Sequence, residues 1–151
     1  MSDLTIKRVD DINDEIGEFL NKEFTDYALQ KEVVLNFDEF CFTAEDSDGK
    51  ICGVITGRAY YNEVHVGDLI VAPDCRGTGL GSRLVTAVED YYKGKGYDIV
   101  TLTTFGFQAP EFYKKLGYNV EFVRENADRK LSKYFLKKFI DSVDNRIGSP
   151  D

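Results

Sequence analysis

The chain has 151 residues, 42% of them hydrophobic and 30% charged, with a formal net charge of -8. That length and balance predict one domain over residues 1–151 with a real core, and they exclude wholesale disorder. The acidic balance argues against wrapping nucleic acid by general basicity; it suits a cationic small molecule or peptide, or simply keeps the protein in solution.

Cys41, Cys52 and Cys75 form no Cys-x-x-Cys pair, which argues against a disulfide framework or a zinc site, so no metal ligands are expected. The start, Met1-Ser2-Asp3-Leu4-Thr5, is too polar for a secretion leader, and no apolar run approaches the ~20 residues of a membrane span. The expectation is a cytoplasmic protein with reduced thiols that engages neither membrane nor nucleic acid.

In chain order, Thr5 to Val9 alternates Ile6 with Lys7 and predicts a short edge strand. Asp10, Asp11 or Asn13 then caps a helix whose apolar face is Ile12, Ile16, Phe19, Leu20 and Phe24, at helical spacing. A second short helix is expected around residues 27–33. Phe40, Phe42 and Ala44 alternate before the turn Ser47-Asp48-Gly49-Lys50, and apolar residues resume from Ile51 to Tyr61, which reads as a β-hairpin. A reversal at Tyr61-Asn62-Glu63 leads into Val64 to Val71, the third antiparallel strand. After it, Leu80, Leu84, Val88 and Tyr91 or Tyr92 mark a helix that closes near Lys93-Gly94-Lys95-Gly96. Asp98 to Thr104 reads as a strand, parallel to the one ending at Val71 because a helix lies between them. A short helix over residues 109–116 and strands at Tyr118 to Val123 and Lys133 to Ile140 complete the pattern. The lysines of the last strand are expected to blunt a sheet edge or solvate a face, and residues from Ser142 on to fray. The fold class is α/β, a mixed sheet of six to seven strands flanked by helices.

The stretch Leu-Ile-Val-Ala-Pro-Asp-Cys-Arg-Gly-Thr-Gly-Leu-Gly, residues 69–81, joins the third strand to the next helix. Gly77, Gly79 and Gly81 remove Cβ atoms, so the backbone can take positive φ and its N–H groups can be approached closely. With Arg76 and a helix N-terminus, where Ser82 is expected to begin the helix, this suits a phosphate or pyrophosphate. A P-loop would need Gly-x-x-x-x-Gly-Lys-Ser/Thr, and no such lysine follows Gly81. A Rossmann fingerprint would need Gly-x-Gly-x-x-Gly and an acid after the next strand, where Thr103 and Thr104 stand instead.

Val71-Ala72-Pro73 followed by Arg76-Gly77-Thr78-Gly79-Leu80-Gly81 resembles the Arg/Gln-x-x-Gly-x-Gly/Ala motif of the Gcn5-related N-acetyltransferase (GNAT) family. Downstream, Phe112-Tyr113-Lys114-Lys115-Leu116-Gly117-Tyr118 resembles that family's Phe/Leu-Tyr-x-x-x-Gly-Phe/Tyr segment. The two motifs stand in the family's order, and the resemblance spans Val64 to Tyr118. One departure is that Phe107-Gln108-Ala109-Pro110 stands where many members carry a cofactor-holding asparagine; a subgroup of bacterial members has a similar run, and Gln108 is the candidate substitute.

The resemblance implies the GNAT fold, with strands splayed at the cofactor site, and acetyl-CoA as donor, coenzyme A being the product. Its pyrophosphate would accept hydrogen bonds from amides of Arg76, Gly77, Thr78, Gly79, Leu80, Gly81 and Ser82, with charge from Arg76 or Arg83. The pantetheine arm would pair like an added strand with the backbone of Leu69, Ile70 and Val71. An amide near Ile70 or Val71 would polarise the thioester carbonyl, an effect worth ~3 kcal/mol per donor. Tyr113 matches the family's proton donor to the leaving thiolate. For the base, His65 stands about where some members place a glutamate, and an imidazole with an ordinary pKa of about 6.5 suits the task; Glu63 and Asp68 are rivals, and a water relay is the alternative. Cys75, beside Arg76 and a helix start, has the setting of a low-pKa thiol, although the family transfers directly. The expected function is N-acetyl transfer to a primary amine of a small molecule or peptide in a ternary complex; the competing reading is an acyl-CoA sensor without turnover. The acceptor pocket is expected from residues 27–37 with Tyr60 and Tyr61, with Asp26, Glu32 or Glu63 drawing in a cation, and by analogy with the family a homodimer is expected.

Overall fold

The computed structural model describes residues 3–141; the expected fraying from Ser142 on lies outside them. The chain divides into two compact units, one up to Leu35 and one from Asn36 on.

The first unit holds α1, Asp14–Gln30. Asn13 Oδ1 accepts the N–H of Ile16 at 2.9 Å, and Asp14 and Glu15 occupy the first turn, where the helix dipole favours negative charge. The helix runs straight through the start of the segment expected to form a second one, which does not form. It ends where Glu32 turns into the left-handed region at φ 60° and the Val33 N–H closes on the Ala28 carbonyl at 2.8 Å. Residues 5–9 form no strand. Ile6 and Val9 are the only apolar residues there, and three positions apart in a period-two strand they would face opposite sides, so there is no face to bury.

The second unit contains β1 (Asp38–Glu45), β2 (Ile51–Tyr60), β3 (Glu63–Val71), α2 (Leu80–Tyr92), β4 (Ile99–Phe105), α3 (Pro110–Lys115), β5 (Asn119–Arg124) and β6 (Lys133–Phe139). The described strands make one six-stranded sheet in the order β1-β2-β3-β4-β6-β5. All neighbours are antiparallel except β3 and β4. Alternation sends Ile55, Ala59, Val64, Val66, Val100, Leu102 and Leu136 to one buried face, where they pack with Leu84, Val85, Val88 and Tyr92 of α2. Each such valine, leucine or isoleucine side chain stabilises the fold by roughly 1.5–3 kcal/mol. The Tyr92 hydroxyl donates to Asp38 at 2.7 Å. β6 lies inside the sheet and β5 at its edge, so the lysines of β6 do not blunt an edge. Lys138 instead donates to Glu89 of α2 at 3.1 Å and to the Leu116 carbonyl at 2.9 Å, tying the end of α3 to the core.

Two features of β3 open the sheet. It pairs with β4 at only three positions, Glu63 with Ile99, Val64 with Val100 and His65 with Thr101, after which β3 continues beside β2 and β4 beside β6. Against β2 the register shifts between Thr56, opposite Asp68, and Gly57, opposite Val66. Gly67 is therefore an extra residue, and a bulge of this kind bends its strand. Among the described residues no helix is long and apolar enough to cross a membrane.

Candidate active site

The gap left by the parting strands leads to the turn after β3. A cavity of about 790 Å³ is lined by Leu69, Ile70, Val71, Arg76, Gly77, Gly79, Leu80, Gly81, Ser82 and Gln108. These are the residues expected to hold the donor, Thr78 excepted, and the volume lies in the range of roughly 300–1,000 Å³ common for ligand sites. The Ala72 N–H donates to the Cys52 carbonyl of β2 at 2.8 Å. Peptide groups alternate along a strand, so Ile70 also turns its peptide to β2, while Leu69 and Val71 turn theirs to the gap. Of the two amides considered for the carbonyl, the one facing the gap is that of Val71. Its own carbonyl accepts from Arg76 Nε at 3.0 Å, which fixes the arginine stem beside the cavity and leaves the guanidinium end free of that bond.

α2 begins at Leu80 rather than at Ser82, with Gly79 as its cap and no side-chain capping bond. Its first intrahelical donor is the Arg83 N–H, which bonds to the Gly79 carbonyl at 3.1 Å. The preceding amides of the first turn therefore have no partner within the helix, and no acidic residue competes for them. Gly77 and Gly79 take φ 77° and 78°, with nothing within 4 Å of the position a Cβ would occupy. Gly81 serves differently: it is not among the positive-φ glycines, but a Cβ there would meet Phe112 Cζ at 3.2 Å. Its smallness lets α3 approach. Thr78 and Arg83 line a neighbouring cavity, and the Thr78 hydroxyl donates to the Cys75 carbonyl at 2.7 Å. Cys75 is no low-pKa nucleophile: the neighbouring Cys52 thiol, then desolvation and the adjacent Asp74 carboxylate, hold its thiol up at about 11, and that thiol donates to Asp74 Oδ1 at 3.8 Å.

Gln108 Oε1 accepts the Phe105 N–H at 2.9 Å and the Thr104 hydroxyl at 3.4 Å. The facing N–H identifies the oxygen, so the amide nitrogen is the group left for a ligand. Tyr113 is 7% exposed and does not line the cavity; its neighbour Phe112 does. The Tyr113 ring sits edge-on between Phe112 at 5.0 Å and Tyr118 at 5.9 Å, and its hydroxyl makes no hydrogen bond among the described residues. Burial pushes it up to about 12. It therefore keeps its proton at neutral pH and is a weaker acid than a free phenol. It can protonate a thiolate only where the same dry surroundings raise the thiolate's proton affinity too.

His65 lies at the parting point, on the sheet face opposite α2. It lines a second cavity of about 430 Å³ together with Glu39, Cys41, Thr56, Arg58 and Asp68. Its Nδ1 is 2.8 Å from Thr101 Oγ1, and the Thr101 hydroxyl donates to Glu63. Two of the three candidate bases are thus linked through one hydroxyl, while Asp68 accepts from Thr56 at 3.3 Å. Tyr60 and Tyr61 do not join this cavity; Tyr61, at φ 55°, is held at the β2–β3 turn by the Asn36 side chain. Tyr27 lies in the first unit, where Asp26 is paired with Lys22 at 2.8 Å.

Comparison with known proteins fits this geometry. The profile of the acetyltransferase (GNAT) family matches residues 8–118. The chain belongs to that family. N-acetyltransferase is accordingly its enzyme class. An uncharacterized N-acetyltransferase of Methanocaldococcus jannaschii is 31% identical over 63% of this chain and 58% of its own length. The blasticidin-S acetyltransferase of Streptomyces morookaense is 30% identical over 78% of this chain and 85% of its own. A crystal structure of an acetyltransferase from Bacillus cereus superposes with a TM-score of 0.71 at 32% identity, covering 88% of this chain and 97% of that one.

In this GNAT chain sequence reasoning passed over Phe107, Ala109, Phe112 and Thr101. The first three line the larger cavity, of about 790 Å³, and the one available signal was their place in the aromatic run around Gln108. Thr101 had no signal, because its meeting with His65 depends on the register between β3 and β4.

Proposed function

We propose that this chain is an acetyl-CoA-dependent N-acetyltransferase that acts on a primary amine of a small molecule or peptide by direct attack in a ternary complex, with both units forming one catalytic domain. The observation that carries this reading is the parting of β3 and β4 at His65 and Thr101 beside the uncapped start of α2. The cavity fits the donor's chemistry at both ends: unpaired amides and Arg76 for a pyrophosphate, and the gap-facing peptides of Leu69 and Val71 for an extended amide chain. The family profile, which begins at residue 8 and runs across both units, supports a single domain. A relative named for blasticidin S supports a small-molecule acceptor. Three free thiols suit a reducing cytoplasm.

When bound, acetyl-CoA supplies the thioester carbonyl and the thiolate leaving group. The chain's own part is to hold the donor by backbone, to aim the Val71 N–H at the carbonyl oxygen, to keep a proton on the Tyr113 hydroxyl for the thiolate, and to take the ammonium proton at His65. The test is thiol release from acetyl-CoA across polyamines, aminoglycosides, amino acids and peptide N-termini, with coenzyme A affinity measured in parallel. Turnover on at least one amine class is expected. Tight coenzyme A binding with no turnover on the whole panel would replace the enzyme with a sensor.

A further inference from the structure

His65 and Thr101 form the last pair of β3 with β4, Glu63 stands two residues back on the same strand face, and the hydrogen bonds among the three have a forced direction. Thr101 has one hydroxyl proton, and an ionised carboxylate can only accept. The Thr101 hydroxyl therefore donates to Glu63. Its oxygen is then the acceptor in the 2.8 Å contact with His65 Nδ1, so Nδ1 carries a hydrogen. The lone pair of the ring is on Nε2.

We propose that Thr101 and Glu63 are positioning residues that hold His65 in its Nδ1–H tautomer, leaving Nε2 to take the proton of the incoming amine. This rests on His65 acting as the base. In the step, an N–H bond of the ammonium breaks, directly or through one water, and its proton forms a bond to Nε2. The electron pair stays on the amine nitrogen, and Nδ1 and Thr101 keep their protons. No group has to move, because the imidazolium donates the same bond to Thr101, and Glu63 Oε2 lies 3.9 Å from Nδ1, where its negative charge stabilises the new positive one.

Other charges around the ring do not supply that geometry. Arg58, the cross-strand neighbour of His65 on β2, opposes protonation. Asp68 and Glu39 share the cavity with the ring, as does the Cys41 thiol. Lys137 of β6, opposite Thr101, is paired with Glu121 at 3.4 Å. Glu63 is the carboxylate joined to the ring through a single hydroxyl.

The chain has one histidine, so nitrogen-15 NMR of the imidazole in the untagged protein reads its tautomer without ambiguity. Above the ring's titration, Nδ1 is expected to be protonated and Nε2 to carry the lone pair; the opposite tautomer overturns the proposal. Thr101→Val keeps the β-branched shape and removes both hydrogen bonds. It should release the tautomer preference and lower kcat/KM on the order of tenfold, and Thr101→Ser should restore both. Glu63→Gln still accepts from Thr101 but lacks the charge, so the imidazolium is less stable and the acidic limb of the kcat/KM profile should move to lower pH. A purely structural role would leave tautomer and limb in place. If His65→Gln keeps the acidic limb, the base reading fails, and the tautomer measurement still judges the positioning. If His65→Gln loses the limb while Thr101→Val matches the wild type in tautomer and rate, the positioning fails and the base stands.

Discussion

The two ends of β3 do opposite kinds of work. Its last residues, Leu69 to Val71, have no β4 partner and offer peptide groups to the gap, and the turn that follows adds helix-terminal amides and glycines at φ 77° and 78°. Its first residues, Glu63 to His65, keep their β4 pairing and offer side chains that meet Thr101 across it. In the function proposed above, the donor would be held by backbone, which serves any donor carrying the same pyrophosphate and amide chain, and the acceptor would meet side chains, whose identity can change without disturbing the strand. A fold so divided can keep its donor and vary its acceptor, and the difference can be attacked at each end.

The largest effect is expected at Tyr113 of α3. Tyr113→Phe should lower kcat by about a hundredfold, the lower range of general-acid catalysis, while coenzyme A affinity by calorimetry changes little, because the amides and Arg76 proposed to hold the pyrophosphate are untouched. An unchanged kcat would remove Tyr113 from the proton transfer. A smaller effect is expected from Gly79→Val. The left-handed conformation at φ 78° costs a residue with a Cβ roughly 1–2 kcal/mol; if the loop relaxes, its amides turn from the pyrophosphate. Coenzyme A should then bind about tenfold more weakly, with the acidic limb of the pH profile left where it is. Unchanged affinity would mean that the backbone of this turn does not hold the donor.

The smallest effect sharpens the contrast between the buried phenols of the core and His65, which is 35% exposed. Burial raises Tyr113 to about 12, and Tyr92 and Tyr118 are raised as well, first by burial. The folded state holds these protons where an unfolded tyrosine, near 10, has begun to lose them. The stability they contribute is thus full below about pH 10 and falls as pH rises through about 12. Urea midpoints measured across that window should decline, and Tyr113→Phe should decline less steeply; an equal decline would mean that Tyr113 is not the buried phenol described.

What could be read from the chain follows from how local each feature is. Gly77 and Gly79 act on their own backbone and Arg76 reaches a carbonyl five residues back, so the glycine turn is legible in a short window. Gly81 shows the limit: its spacing matched the turn, but its reason is contact with Phe112, thirty-one residues on. Residues 5–9 failed as a strand because Ile6 and Val9 share no face, and residues 27–33 failed as a separate helix because α1 continues to Gln30. β5 and β6 were legible as strands, yet their order in the sheet was not, since chain order does not dictate which strand takes the edge.

The sequence by itself determined the family, the hairpin-rich order of elements, and the glycine turn and tyrosine motif that carry the resemblance, because each is carried by neighbours along the chain. Only the tertiary structure decided where β3 and β4 part, which peptide groups face the opening, and that a threonine thirty-six residues away holds His65. Those depend on strand register, and a shift of one residue in that pairing would send Thr101 to the other face of the sheet.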